Sequence, residues 1–317
     1  MSCTAILVGD GPPRRVAPEE AGGYDGPGFV WIHVEGGDED DLVLLRGRDI
    51  PEIAANALVA TETRPRCDRI EDGVIVNLRG PAAGEIETPD RLVSIRMWVR
   101  RGKVDSVSRH RLGATDAVLA QMQAGRTVDP GDLVAAFARE ISKQLDPEVA
   151  ALGDQLDDAE SELEEGNIYR LRSVIARIRS EAIAYRRFVA PDRDALETLA
   201  AQDVGWLAED DRLHIREAAD RFARMTEELE AVRERAALLH EQITDLRSEL
   251  IDQRSLLISV VAFIFLPLTF ITGLLGMNVE GIPYADTHWA FWGIVAFCVA
   301  VGAVVLAWFG YRHWLRR

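Results

Sequence analysis

The chain has 317 residues, 48% hydrophobic and 28% charged, with a formal net charge of −16. That balance excludes a nucleic-acid-binding surface, which needs a basic face to neutralise phosphate; it suits a domain that gathers cations or one that is simply well solvated. Three scattered cysteines, Cys3, Cys67 and Cys298, make neither a disulfide framework nor a thiolate metal site, as expected in a reducing compartment.

The N-terminal stretch has no basic segment followed by an apolar one, so no secretory signal is expected. Residues 11–28, rich in Pro and Gly, read as a loop or frayed arm. The runs 29–36, 73–80 and 92–100 are short, β-branched and aromatic, and predict strands. Residues 104–112 alternate and pair with the preceding strand through Arg101-Gly102-Lys103, while 50–61 and 114–124 predict helices between strands. From Asp129 the pattern turns helical, with Pro130 at the first helical position. Asp146-Pro147 predicts a kink or a fresh start, and Gly166 a helix end. The next helix is expected over 168–189, stopped by Ala190-Pro191, antiparallel to the one before Gly166.

No Gly or Pro occurs between Trp206 and Leu266. Apolar residues from Phe222 through Met225, Leu229, Val232, Ala236 and Leu239 to Ile243, Leu246 and Leu250 alternate steps of three and four, a heptad seam. The expectation is one helix from about residue 208 to 275, kinked at Pro267 and roughly 100 Å long. Its last part, 255–275, carries no charge, nor does 289–311, and each run reaches the roughly 20 apolar residues that cross a bilayer. The chain thus divides into an α/β domain with a helical C-terminal half (1–207), a stalk helix (208–254), a first transmembrane helix (255–275), an external loop (276–288), a second transmembrane helix (289–311) and a basic tail (312–317). The loop has no Lys or Arg, whereas Arg247, Arg254, Arg312, Arg316 and Arg317 flank the other ends. Both termini are therefore expected in the cytoplasm, and Trp289, Trp292, Trp308, Tyr311 and Trp314 stand where interfacial aromatics belong.

One face of the first membrane helix is mostly small or polar: Asp252, Ser255, Ser259, Ala262, Leu266, Thr269, Gly273 and Gly276. Such a stripe avoids lipid. It lines a pore in a symmetric oligomer or packs against another helix, and periodicity does not choose between the two.

Gly276-Met277-Asn278, directly after that helix, resembles the signature of the CorA superfamily of divalent cation transporters, as does the proline-containing run 264–270. The stretches 62–66, 76–80, 93–98, 265–276 and 281–283 look most like the ZntB zinc transporter branch. The resemblance covers the chain from about Phe29 onward. It implies a funnel-shaped homopentamer of the inner or plasma membrane, with five long helices continuing as an inner ring around the pore. It further implies uptake of zinc as cargo rather than cofactor, with a proton gradient involved. Five Gly-Met-Asn loops would ring the outer mouth, where Asn278 meets a hydrated cation; Glu280 and Asp286 add vestibule charge, and five Asp252 carboxylates the inner mouth. Met277 and Glu280 depart toward the magnesium-channel form, while Tyr284 replaces a further acid and Ser255 a bulky gate residue. The competing readings are therefore a CorA-type magnesium channel and, from another class, a membrane-anchored scaffold. No phosphate loop, nucleophile motif or ligand cluster suggests an enzyme.

Among the histidines, His33, His110, His214, His240 and His313 show no ligand spacing, and only His288 beside the loop suits zinc or proton handling. The acidic runs 38–41 and Asp154, Asp157 and Asp158 hold regulatory cations or are solvated faces.

Overall fold

The structure, a computed structural model, describes residues 2–36, 50–61, 64–84, 92–164, 168–277 and 287–314. The chain divides into two compact units, Met1–His240 and Glu241–Arg317.

The first unit is built on a seven-stranded sheet. Its strands are β1 (Ser2–Val8), β2 (Arg14–Arg15), β3 (Phe29–Glu35), β4 (Arg66–Ile70), β5 (Gly73–Pro81), β6 (Leu92–Arg100) and β7 (Lys103–Ser108), in spatial order β2-β1-β3-β7-β6-β5-β4. Only β3 and β7 run parallel. The β6–β7 hairpin closes at Arg100↔Lys103 through Arg101-Gly102, and Gly102 takes the left-handed φ of 71° that this tight turn requires. The strand expected over 104–112 ends at Ser108; beyond it Leu112 makes one bridge to Ala82.

Both sheet faces are covered. Helix α1 (Pro18–Gly22) sets Ala21 among Ala5, Leu7, Val30 and Ile32. Helix α2 (Glu52–Val59) packs Ala54 and Leu58 on Val34, Ile75, Trp98 and Val107. The segment read as a loop over 11–28 is corrected accordingly: its few apolar residues suffice to fold it onto β1 and β3, a tertiary effect that composition hides. Elsewhere on the sheet, Trp31 meets Phe137 edge-on at 5.6 Å. A Cβ on Gly80 would lie 2.8 Å from Ile141, so β5 and the helix bearing Ile141 approach too closely for any side chain there.

That helix is α4 (Pro130–Glu164), which follows α3 (Ala114–Gln123). It runs through Pro147 without a break, and α5 (Ile168–Ala200) runs through Pro191, ten residues past its expected stop. Each proline removes one helical hydrogen bond and crowds the preceding turn. Burial on either side outweighs this, with Leu145, Val149 and Leu152 around the first and Val189, Ala195, Leu196 and Leu199 around the second. Arg177 donates to Gln155 at 3.2 Å and Tyr185 to Glu148, so α4 and α5 are antiparallel.

Helix α6 runs unbroken over Glu209–Leu275 and α7 over Ala290–Trp314. The heptad seam of α6 is buried from Phe222 to Ile243, and Leu246 is exposed. Inside the first unit its flanks are tied by Arg235 to Asp157 at 2.6 Å and Glu160 at 2.7 Å, and by Glu230 to Arg186 at 2.6 Å. Within the first unit, up to Leu239, the seam therefore lies beside this chain's own helices α4 and α5.

Candidate functional site

In the second unit both α6 and α7 are long and apolar enough to cross a membrane. Their pairing decides which faces remain open. On α6 the partly covered positions are Val260, Ile264, Leu268, Ile271 and Leu275, at steps of four, four, three and four. On α7 they include Ile294, Cys298, Val301, Val305 and Phe309. Phe263 meets Phe309 edge-on at 6.4 Å, and Ile264 approaches Gly302. Branched and aliphatic side chains thus fill the seam between the two helices.

The stripe read from the sequence lies elsewhere. Asp252, Ser255, Ser259, Ala262, Leu266, Thr269, Gly273, Gly276 and Met277 are all exposed. At about 100° per residue, the stripe and the α7-covered face are centred roughly 180° apart on α6. The small and polar positions therefore do not serve the intrachain helix pair. Within the stripe, the Ser259 hydroxyl donates to the Ser255 carbonyl at 2.8 Å, which hides its polarity in the helix backbone when no other partner is present. The Gly276 N–H donates to Thr272 at 2.9 Å and closes the helix end. Asn278, Glu280, Tyr284 and Asp286, expected at the outer mouth, lie outside the described residues, as do residues 38–41.

The histidines separate by environment. His33 sits in the sheet between Ser106 at 2.8 Å and Ser108 at 3.2 Å, and burial lowers its pKa to about 4. It is a neutral, hydrogen-bonded core residue. His288 is exposed. Of the acidic residues expected to gather cations, Asp157 is engaged by Arg235.

A different carboxylate group forms where α4 and α6 begin. Asp129, Asp132 and Asp211 bring one oxygen each within 4.8 Å of one another. All three also cap backbone: Asp129 accepts from the Asp132 N–H at 2.9 Å, Asp132 from Val128 at 3.0 Å and Asp211 from Ala208 at 2.7 Å. Burial, followed by the charges of Asp129 and Asp132, pushes the Asp211 carboxyl up to about 6, against the pull of the Ala208 N–H and His214. A Cβ at Gly131 would collide with the Asp211 carboxylate, so a glycine is needed in the first turn of α4. The sequence carried only half of this signal: Asp129 and Asp132 mark a helix start, but nothing local links them to Asp211.

The CorA-like Mg2+ transporter protein family model matches residues 26–317. The zinc transport protein ZntB of Yersinia enterocolitica is 29% identical over 314 residues, covering 98% of this chain and 94% of its own length. The Pectobacterium carotovorum protein of the same name is 31% identical over 267 residues, covering 84% and 81%. Among solved structures, the full-length CmaX protein superposes with a TM-score of 0.81 at 28% identity, covering 99% of this chain and 97% of its own. The Methanocaldococcus jannaschii CorA magnesium transporter shares the fold at a TM-score of 0.80 and 17% identity, covering 97% and 96%. A two-unit chain with this sheet, this 67-residue helix and this apolar pair, matched over nearly its whole length, belongs to the CorA-like Mg2+ transporter protein family, alongside the zinc transport proteins named ZntB.

Proposed function

We propose that this protein carries divalent metal cations, zinc foremost, across the cell's inner or plasma membrane through a pore on the axis of a homopentamer. The observation that carries the reading is the opposition on α6 between the face that meets α7 and the stripe left exposed among the described residues. A single pair of helices encloses no aqueous path, whereas five copies of α6 with their stripes inward do. In that arrangement Asp252 supplies a ring of carboxylates at the cytoplasmic end. Ser255, Ser259 and Thr269 offer hydroxyls to the cation's waters. Ala262 and Gly273 keep the bore open, and Leu266 makes an apolar collar. Gly276, Met277, Asn278 and Glu280 form the outer mouth, where the Asn278 carbonyl oxygens accept hydrogen bonds from the hydration shell. The positive-inside rule puts both termini in the cytoplasm. Zinc is favoured over magnesium because the curated relatives that match most of the chain are zinc transport proteins. Met277 in the Gly-Met-Asn triplet favours magnesium as the second reading, and proton coupling belongs to the zinc reading. Asp252→Ala and Asn278→Ala are expected to cut zinc entry into proteoliposomes about tenfold or more while pentamers persist in native mass spectrometry. Undiminished entry through both variants would refute the proposed path.

A further inference from the structure

The first unit holds a cavity of about 360 Å³ whose wall reverses the sign of the molecule. The chain as a whole carries a net charge of −16. The cavity brings together Arg126, Arg139, Lys143 and Arg221, with His214 beside them, against only Asp132 and Glu140. The cations come from separate places in the fold: Arg126 follows α3, Arg139 and Lys143 sit one turn apart on α4, and Arg221 is on α6.

Two carboxylates share the wall with this group and offset its four cations only in part. Glu140 is buried and accepts from Gln121 at 2.9 Å, while Asp132 is turned to the Val128 N–H at the helix start. Gln121 also accepts from Arg139, so one amide fixes the guanidinium on one side and the carboxylate on the other. Arg221 reaches out to Glu217 at 2.7 Å. Arg126 and Lys143 make no ion pair among the described residues. The four cations outnumber the two carboxylates of the wall, and a concave surface lined by an excess of one sign concentrates its field on an incoming anion. The volume falls in the range of small-molecule sites. The wall offers guanidinium forks, suited to bidentate contact with carboxylate or phosphate, and no Trp, Tyr or Phe on which a nucleobase would stack.

We propose that this cavity is a binding site for a compact multivalent oxyanion, bearing phosphate or carboxylate groups, held by Arg126, Arg139, Lys143 and Arg221. Its occupant ties the start of α6 to α3 and α4. The proposal does not depend on the proposed ion path.

The test uses full-length protein in detergent, in metal-free buffer at constant ionic strength. Pyrophosphate and citrate serve as the two probes, and chloride as the monovalent control. Isothermal titration is expected to show saturable binding, one site per chain, of at least one probe; which one binds separates the phosphate source from the carboxylate source. Lys143→Gln, at an exposed position that leaves the fold intact, and Arg139→Gln are each expected to weaken that binding about tenfold, the worth of one charge-assisted hydrogen bond. The same probe should raise the melting temperature of the parent and not of the double variant. The proposal is overturned if neither probe binds beyond the chloride control, or if Lys143→Gln and Arg139→Gln bind as the parent does. It is equally overturned if Lys143→Glu dissociates the oligomer while the parent binds no probe, since the recess would then belong to a contact between copies.

Discussion

Asp211 offers a sharp test of how the first unit is held together. Its carboxyl is raised from 3.8 to about 6, chiefly by burial and then by Asp129 and Asp132. A carboxyl whose folded value lies above its unfolded value stabilises the fold when protonated. The cost of ionising it is absent below 3.8, grows between 3.8 and about 6, and is complete above that. A rise of that size, at about 1.36 kcal/mol for each pH unit, would cost about 3 kcal/mol; water reaching the partly exposed Asp129 and Asp132 reduces this to about 1–2 kcal/mol. Asp211→Asn keeps an oxygen to accept the Ala208 N–H, a 2.7 Å bond in the parent, and removes the charge. The variant is therefore expected to melt about 3–6 °C above the parent at pH 7.5, using roughly 2–4 °C per kcal/mol for a unit of this size. About half of that gain should be gone at pH 5. Thermal unfolding followed by intrinsic fluorescence, in chelator-treated buffer, reads both. A variant less stable than the parent at pH 7.5, or a difference that ignores pH, would refute the electrostatic account of the junction.

The remaining expectations span core, thiol and stripe. Gly80→Val places a Cβ 2.8 Å from Ile141 and should cost about 1–3 kcal/mol, read as a lowered melting temperature, with partial recovery in the double variant carrying Ile141→Ala. Cys67, pushed up to about 12 by burial and then by Asp68, should escape iodoacetamide at pH 8 in the native protein and react once it is unfolded, as peptide mass spectrometry would record. Ala262→Phe on the stripe should abolish cation flux. Val261→Phe, one residue away and pointing to neither the stripe nor α7, should leave it unchanged.

The hairpin of β6 and β7 was legible because turn chemistry is local: Gly102 supplies the positive φ and the flanking runs alternate. The long helix was legible because no Gly or Pro interrupts it before Pro267, and α6 continues through that proline to Leu275. Pro191 misled because its local penalty is visible in sequence and the burial that outweighs it, at Leu196 and Leu199, is not. The heptad seam was visible as a pattern, but which helices fill it depends on chain reversals that periodicity does not encode; they turn out to be α4 and α5. The stripe was legible residue by residue. What the structure adds is its orientation, since the complementary positions Val260, Ile264, Leu268 and Ile271 are the ones occupied by α7. The Asp129, Asp132 and Asp211 group and the basic cavity were not legible, because each joins residues some 80 or more positions apart.

A cation path down the stripe must show itself as ion flux. Purified protein in liposomes, with zinc- and magnesium-sensitive dyes trapped inside, should admit zinc faster than magnesium, and faster still under an inward proton gradient. Magnesium entry driven by voltage and indifferent to pH would overturn the zinc reading in favour of a magnesium channel, and no flux of either ion through intact oligomers would contradict the path itself.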